Sequence, residues 1–443
     1  MASQSASSFP KLSEEIVEYI FSFLAPADIM STLLVSRFYN RIARPLLYRN
    51  IVIDAPNAQR MKIIRALLDR PQHTRSVRET VIYTSEAQLA AVPLSIFTER
   101  QQESLIQQTP HYRKLIRYVD IIGCVVQQIT LLRSLEVRFF RQSNLRELLH
   151  CIFYDYVRMN CPAQMFPKLA NVCIRPVDDE EEEFVPLHIT DLEFVLGLRR
   201  IHGLEIQNIQ VTGDPVEHVR LSRTLSLKTL VLKECPVKPH HISSLIQACP
   251  TLENFDCEIM YDAEYAQSVG AYDFSPVDCT IGTLKDTLQS LRLIIILFTT
   301  TAVDISSPGP WGIRSSIGHP LKAFKKLRKL EISLPVLLGW YARSTTSLNG
   351  VLPDSLEELF ITQETAYWGG YERNDLSFPE EPDYVTVCTK VRDYVQDGPK
   401  RLRTIKIALE DFGNKYAMAL AQGIAEEAVE LGVRIEIVEE RFF

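Results

Sequence analysis

The sequence predicts an α/β protein. An N-terminal bundle of three short helices should precede a long, irregular array of strand–helix units whose strands share one parallel sheet. Three observations lead there. Apolar residues recur at helical spacing from Phe9 to about Asp54. The phrase Leu-x-x-Leu-x-Leu, with conservative swaps, returns again and again between Leu132 and Ile407. Amphipathic helical runs separate the copies. At 443 residues the chain is too long for one compact core and suits two or three domains or one solenoid.

Ile16, Ile20, Phe23 and Leu24 fall on one face of a first helix, with Val17 and Phe21 widening the stripe. Asp28, after Ala25-Pro26-Ala27, is suited to cap a second helix that holds Ile29, Leu33 and Leu34. Ser36 is placed to start a third, carrying Phe38, Tyr39, Ile42 and Ala43. Pro45 should end or kink it, because it lacks an N–H and crowds the preceding turn. Three such helices bury too little apolar surface to be stable alone. Each large apolar side chain left wet forfeits roughly 1.5–3 kcal/mol. The surplus therefore calls for a cover, either the rest of the chain or another protein.

The order of residues in this segment adds to that reading. Phe9-Pro-Lys-Leu-Ser-Glu-Glu-Ile, then Tyr19-Ile-Phe-Ser-Phe-Leu, Ala27-Asp-Ile and Leu34-Val-Ser-Arg-Phe-Tyr together resemble an F-box. The ending, Ile42-Ala-Arg-Pro-Leu-Leu-Tyr-Arg-Asn-Ile, resembles the fungal members of that family. The resemblance covers residues 9–54, and it implies docking on a Skp-type adaptor and through it on a cullin scaffold. Carried over by position, the adaptor-binding residues would be Leu12, Ser13, Ile16, Ile20, Leu24, Leu33, Val35 and Tyr39. Ser13 stands where the family usually has Pro, and Tyr39 where it often has Trp.

Residues 55–75, with Met61, Ile64 and Leu68 on one face, read as a linker helix. From 76 to 443 the leucine phrase takes over. It appears at Leu132-Leu135-Val137, Leu169-Val172-Ile174, Leu227-Leu230-Leu232 and Leu252-Phe255-Cys257. It continues at Leu288-Leu291-Leu293, Leu327-Leu330-Ile332, Leu356-Leu359-Ile361 and Leu402-Ile405-Ile407. Weaker copies start at Ile116 and Ile201. Helical runs lie between: Leu145 to Tyr156 after Ser143, Ile242 to Cys249 between Pro239 and Pro250, and Thr386 to Gln396 before Gly398-Pro399. Strand and helix in alternation is the unit of a leucine-rich repeat, with the parallel sheet on the concave side and helices on the convex side. The step from Leu227 to Leu252 is inside the usual spacing of about 20–29 residues; longer steps mark insertions. Ala248-Cys-Pro-Thr-Leu-Glu resembles the helix-to-strand joint of F-box proteins with such repeats. A helix from Asn414 to Leu431, stopped at Gly432, and a strand through Val433, Ile435 and Ile437 would cap the array.

Residues beside the inward leucines should face the concave side. Those are Glu136, Glu205 and Asp256 first, then Arg292, Lys329, Glu331, Glu358, Phe360 and Lys406. The early part is acidic and suited to a basic segment of a target; the alternative is an ordinary solvated sheet face. Trp311, Trp340 and Trp368 follow strand ends, with Tyr341, Tyr367 and Tyr371 beside the last two. They would gather along one rim, either as binding anchors or as packing for the insertions. The acidic run Asp178 to Glu183 reads as a solvated loop.

Nothing in the chain points to chemistry of its own. There is no Gly-x4-Gly-Lys-Ser/Thr loop, no His-Glu-x-x-His, no nucleophile elbow and no zinc-type cysteine pairing. His240-His241 are adjacent and point to different faces, a poor start for a shared metal. No cofactor is expected. Net charge is −7, against a nucleic-acid reader with a broad basic face. The longest apolar stretch, Leu293 to Phe298, is far short of the roughly 20 residues that span a bilayer. Residues 1–8 are polar, expected to be a disordered tail, and do not resemble a secretory signal. Nine cysteines without a Cys-x-x-Cys pair suit the cytosol or nucleus.

Together these readings describe the substrate-recognition subunit of a cullin-type ubiquitin ligase, not itself an enzyme. The F-box would hold the adaptor and the repeats a target protein. Catalysis would be positional, a target lysine held near a ubiquitin-charged enzyme. The alternative is a repeat scaffold outside ubiquitin transfer, its helices merely capping the solenoid.

Overall fold

The computed structural model describes residues 12–54, 58–84, 91–108, 115–140, 145–158, 166–177, 184–198, 200–213, 226–262, 272–298, 313–339, 346–362, 384–397, 401–409 and 415–439. The tail 1–8, the acidic run Asp178 to Glu183, and Trp311, Trp340, Tyr341, Tyr367, Trp368 and Tyr371 lie outside them. The chain divides into two units, residues 1–171 and 172–443.

The first unit opens with helices α1 (Glu14–Phe21), α2 (Pro26–Thr32) and α3 (Arg37–Leu47). The second begins at Pro26, earlier than a cap at Asp28 would allow, and Ala25 precedes it with no side-chain cap. Proline supplies the start itself: its fixed φ suits the first helical position, where its missing N–H costs nothing. Ser36 does cap α3, its hydroxyl accepting from the Tyr39 N–H at 3.1 Å. Pro45 neither stops α3 at once nor stands outside it; the helix runs to Leu47. Pro45 lies in the last turn, and its own carbonyl accepts from Tyr48 N–H as the helix tightens to close. Val17, Phe21, Ile29, Ile42, Ala43 and Leu46 form the core of this bundle, with Leu24, Leu33, Tyr39 and Leu47 packed partly against it.

Three parallel strands follow in the first unit: β1 (Asn50–Ile53), β2 (Glu79–Tyr83) and β3 (Ser134–Phe139), in that order. The helix Ala58–Asp69 connects the first two and buries Met61, Ile64 and Leu68. The weaker leucine-type copy at Ile116 is not a strand of this sheet. Leu115–Arg117 pairs antiparallel with Ala91–Pro93, and Tyr118–Gln127 is a helix buried from Tyr118 through Val126. A segment hydrophobic on every side satisfies the strand pattern and the helix pattern together, and burial on all faces favoured the helix.

The second unit is built on nine strands whose order in the sheet is their order in the chain. They are β4 (Asn171–Pro176), β5 (Gly203–Gln207), β6 (Thr229–Cys235), β7 (Asn254–Asp262), β8 (Ser290–Phe298), β9 (Lys329–Ile332), β10 (Glu358–Ile361), β11 (Thr404–Leu409) and β12 (Arg434–Glu439). From β5 to β12 every neighbouring pair is parallel. Parallel neighbours require crossovers, and helices such as Pro239–Ala248, Tyr384–Asp397 and Lys415–Glu430 supply them.

Each strand-forming leucine phrase places its leading residue two positions before the strand. Leu227, Leu252, Leu288, Leu327 and Leu356 are all fully buried there. The next residue forms the entry to the strand. Its N–H donates to the carbonyl of the corresponding residue one strand earlier: Lys228 to His202, Glu253 to Lys228, Gln289 to Glu253, Arg328 to Gln289, Glu357 to Arg328 and Arg403 to Glu357, all at 2.7–2.8 Å; at the last strand Arg434, one place further on, donates to the Arg403 carbonyl at 2.9 Å. The first unit repeats this column, Arg78 donating to Arg49 at 2.8 Å and Arg133 to Arg78 at 2.7 Å. Strand entries are thereby fixed by backbone hydrogen bonds before any side chain is considered. Gly432 ends the last helix at φ 76°, the left-handed conformation that suits glycine.

Candidate functional site

Side chains at the amino-terminal bundle divide by a simple rule of helix geometry. In α1, Val17 and Phe21 are four apart and turn inward, while Ile16, Tyr19 and Ile20 of the same helix, with Leu12 before it and Phe23 after it, stay exposed. Met30, Leu34, Val35 and Phe38 add a second exposed group where α2 passes into α3. Nine of the fourteen large hydrophobics exposed among the described residues thus lie between Leu12 and Phe38. A concentration of that kind marks an interaction surface, whereas scattered single residues would not.

The exposed side chains are held in place. Tyr19 and Phe23 meet edge to face, ring centroids 4.9 Å apart. Phe38 leans on Tyr39 at 5.7 Å and has the Arg41 guanidinium 5.8 Å above its ring. Arg41 also forms an ion pair with Glu14, tying the start of α1 to α3. Ser13 precedes α1 at φ −65°, a backbone conformation that a proline ring also adopts, so serine fits the place where the F-box family has proline. Backbone N–H groups at the helix start, and then the Ser13 hydroxyl, hold the Glu15 carboxyl below its usual range. Tyr39 packs on Phe21 at 5.4 Å, one face inward.

Of the positions carried over from the resemblance, Leu12, Ile16, Ile20 and Val35 are exposed and Leu24, Leu33 and Tyr39 are half-buried in the bundle. They therefore divide between contact and support. Tyr19, Phe23, Met30, Leu34 and Phe38 complete the surface and were not among the adaptor positions; Tyr19 and Phe23 follow Ile16 at spacings of three and seven, a signal legible in the sequence.

The residues beside the inward leucines form a second, quite different surface. In register across β5 to β12 stand Glu205, Val231, Asp256, Arg292, Glu331, Phe360, Lys406 and Glu436. A groove of about 430 Å³ lies over the middle of this row, lined also by Thr229, Asn254 and Ser290. Its acids have cations of their own. Lys233 meets Glu205 at 3.2 Å, and Arg292 reaches Asp256 at 2.9 Å, Glu331 at 2.7 Å and Glu258 at 2.5 Å. Burial pulls the pKa of Arg292 down, but its hydrogen bonds to Asp256 and Glu331 outweigh that and raise it. Glu205, Asp256 and Glu331 are thus brought onto one face, each neutralised within it.

Chemistry at the buried thiols is suppressed. Burial pushes Cys235 and Cys249 up to about 12 and Cys388 to about 11. Among the described residues no group of three or more His, Cys, Asp or Glu is arranged to hold a metal ion, and no helix is long and apolar enough to cross a membrane. His241 donates toward the Gly213 carbonyl at 3.3 Å, with the His240 ring 4.1 Å away.

No curated protein matches the chain. Residues 14–54, the bundle with its exposed apolar stripe and the first strand, match the family model described as F-box-like, and the chain carries an F-box-like domain at that position.

Proposed function

We propose that the chain is the substrate-recognition subunit of a Skp–cullin–F-box ubiquitin ligase. F-box domains bind Skp-type adaptors, and here the bundle would dock one through Leu12, Ile16, Ile20 and Val35. Leu24, Leu33 and Tyr39 would support that face from within and Ser13 would open the first helix. Through the adaptor the chain would reach a cullin. Residues 55–75 would join the dock to a body, 76–443, of leucine-rich-repeat type, its sheet on the concave side. That body would hold a target protein and contribute no catalytic group. The observation that carries this reading is the concentration of exposed apolar side chains inside the segment that matches the F-box-like model. The sequential parallel strands and the groove over Asp256, Arg292, Glu331 and Phe360 support a protein-binding body. Nine cysteines without a Cys-x-x-Cys pair suit work in the reducing cytosol or nucleus.

Pull-down with a purified Skp-type adaptor tests the reading. The unaltered chain should retain the adaptor, and Ile16→Asp should lose it with an unchanged melting curve. Failure of the unaltered chain to bind would leave a repeat scaffold outside ubiquitin transfer as the better description.

A further inference from the structure

The column of strand-entry residues differs in charge between the two units. In the second it reads His202, Lys228, Glu253, Gln289, Arg328, Glu357, Arg403 and Val433, and its opposite charges pair across rungs: Lys228 with Glu253 at 2.5 Å and Arg328 with Glu357 at 3.9 Å. In the first unit the same column opens with Arg49, Arg78 and Arg133 and ends with the uncharged Ala170. Neighbouring strands lie about 4.8 Å apart, so three cations leave one line roughly 10 Å long.

Arg78 is fixed there. Its Nη1 donates to the Arg75 carbonyl at 2.7 Å and the Val77 carbonyl at 3.2 Å, leaving its other N–H groups for a ligand. Burial, then Arg133 and Arg49, hold its pKa below the usual arginine value, and Glu18 acts the other way. Arg70 and Arg44 stand close enough to His73, after burial, to depress it too; the His73 ring stacks on Tyr48 at 4.3 Å. Among the described residues no ion pair joins Arg49, Arg78 or Arg133 to a carboxylate. Like charges on adjacent strands destabilise a sheet. The second unit removes that cost with acids of its own, and the first does not.

We propose that Arg49, Arg78 and Arg133 form a binding site for an acidic peptide segment of a partner protein. The line of cations matches about three residues of extended chain at roughly 3.3 Å each. A net charge of −7 opposes a long polyanion such as nucleic acid. Guanidinium forks take carboxylates and phosphate groups alike. The inference stands without the adaptor reading.

Fluorescence anisotropy on the full chain tests it with three labelled probes of equal charge: a Glu-rich peptide, a phosphoserine peptide and a short single-stranded DNA. At least one peptide should bind saturably, more tightly than the DNA, and about tenfold more weakly to Arg49→Gln/Arg133→Gln. Both arginines are exposed and their replacement relieves the like-charge repulsion, so the variant should melt no lower than the unaltered chain and keep any adaptor binding. The tighter peptide tells carboxylate from phosphate. No saturable peptide binding, equal affinity in the variant, or tighter binding of the DNA would overturn the proposal.

Discussion

Ile16 and Val17 are neighbours in the chain with opposite surroundings: Val17 is 5% exposed inside the bundle, Ile16 48% exposed outside it. One helical step separates support from contact, so the two positions are expected to fail differently. Val17→Ala should lower stability by about 1–3 kcal/mol, read from urea unfolding, through lost burial. Ile16→Asp should leave that curve unchanged and act on adaptor capture alone. Equal destabilisation by both would mean that the stripe is part of the fold's own core.

Arg292 is the centre of the charge row on the second unit. Its side chain is 26% exposed and meets three carboxylates, whereas Arg328 is 65% exposed and sits 3.9 Å from Glu357. Removing a partly buried ion leaves its partners repelling each other in a poor solvent. Arg292→Ala should therefore cost about 1–3 kcal/mol, and Arg328→Ala less than about 0.5. Denaturant midpoints of the two variants give the comparison directly.

Two glycines in helices should respond with opposite signs. A Cβ at Gly123 would lie 2.6 Å from the Cys151 carbonyl, where the helix Tyr118–Gln127 packs on Leu145–Arg158, so Gly123→Ala should destabilise by about 1–3 kcal/mol. Gly423 lies in Lys415–Glu430 with open space around it. Gly423→Ala should stabilise by about 0.5–1 kcal/mol, since alanine is the better helix former. Thermal melts of both variants decide.

His241 should make stability depend on pH. Burial, then the charges of His240, Lys238 and His188, lower its pKa from 6.5 to about 4. Between those values the unfolded chain holds a proton that the folded chain does not, so acid favours unfolding. The contribution is complete above pH 6.5 and is lost as pH falls toward 4. His241→Gln, which keeps an N–H for Gly213, should flatten the stability curve over that window; an unchanged slope would place the titration elsewhere.

Much of the fold was legible because the leucine phrase states two things at once: which residues turn inward and where the corner lies. All eight strong copies coincide with strands, as does the weaker one at Ile201. β1 and β2 escaped because their phrases are disguised, Tyr48-x-x-Ile51-x-Ile53 and Val77-x-x-Thr80-x-Ile82, with Tyr and Val leading and a buried Thr80 at the middle. Neutralisation of Glu205, Asp256 and Glu331 was not legible for a different reason. Their cations lie 28 to 39 residues away along the chain and meet them only through sheet register. Local pattern finds an acid; only the ladder tells whether it has company.

The N–H donation that ties each strand entry from β6 to β11 to the one before it has a consequence for how such a chain can change. A rung is set by its opening peptide groups, so the number of residues spent before the next rung is immaterial to the stack. Segments may be lengthened, shortened or exchanged between rungs while the rungs stay put. Novelty can then accumulate in the excursions, and the spine remains as it was.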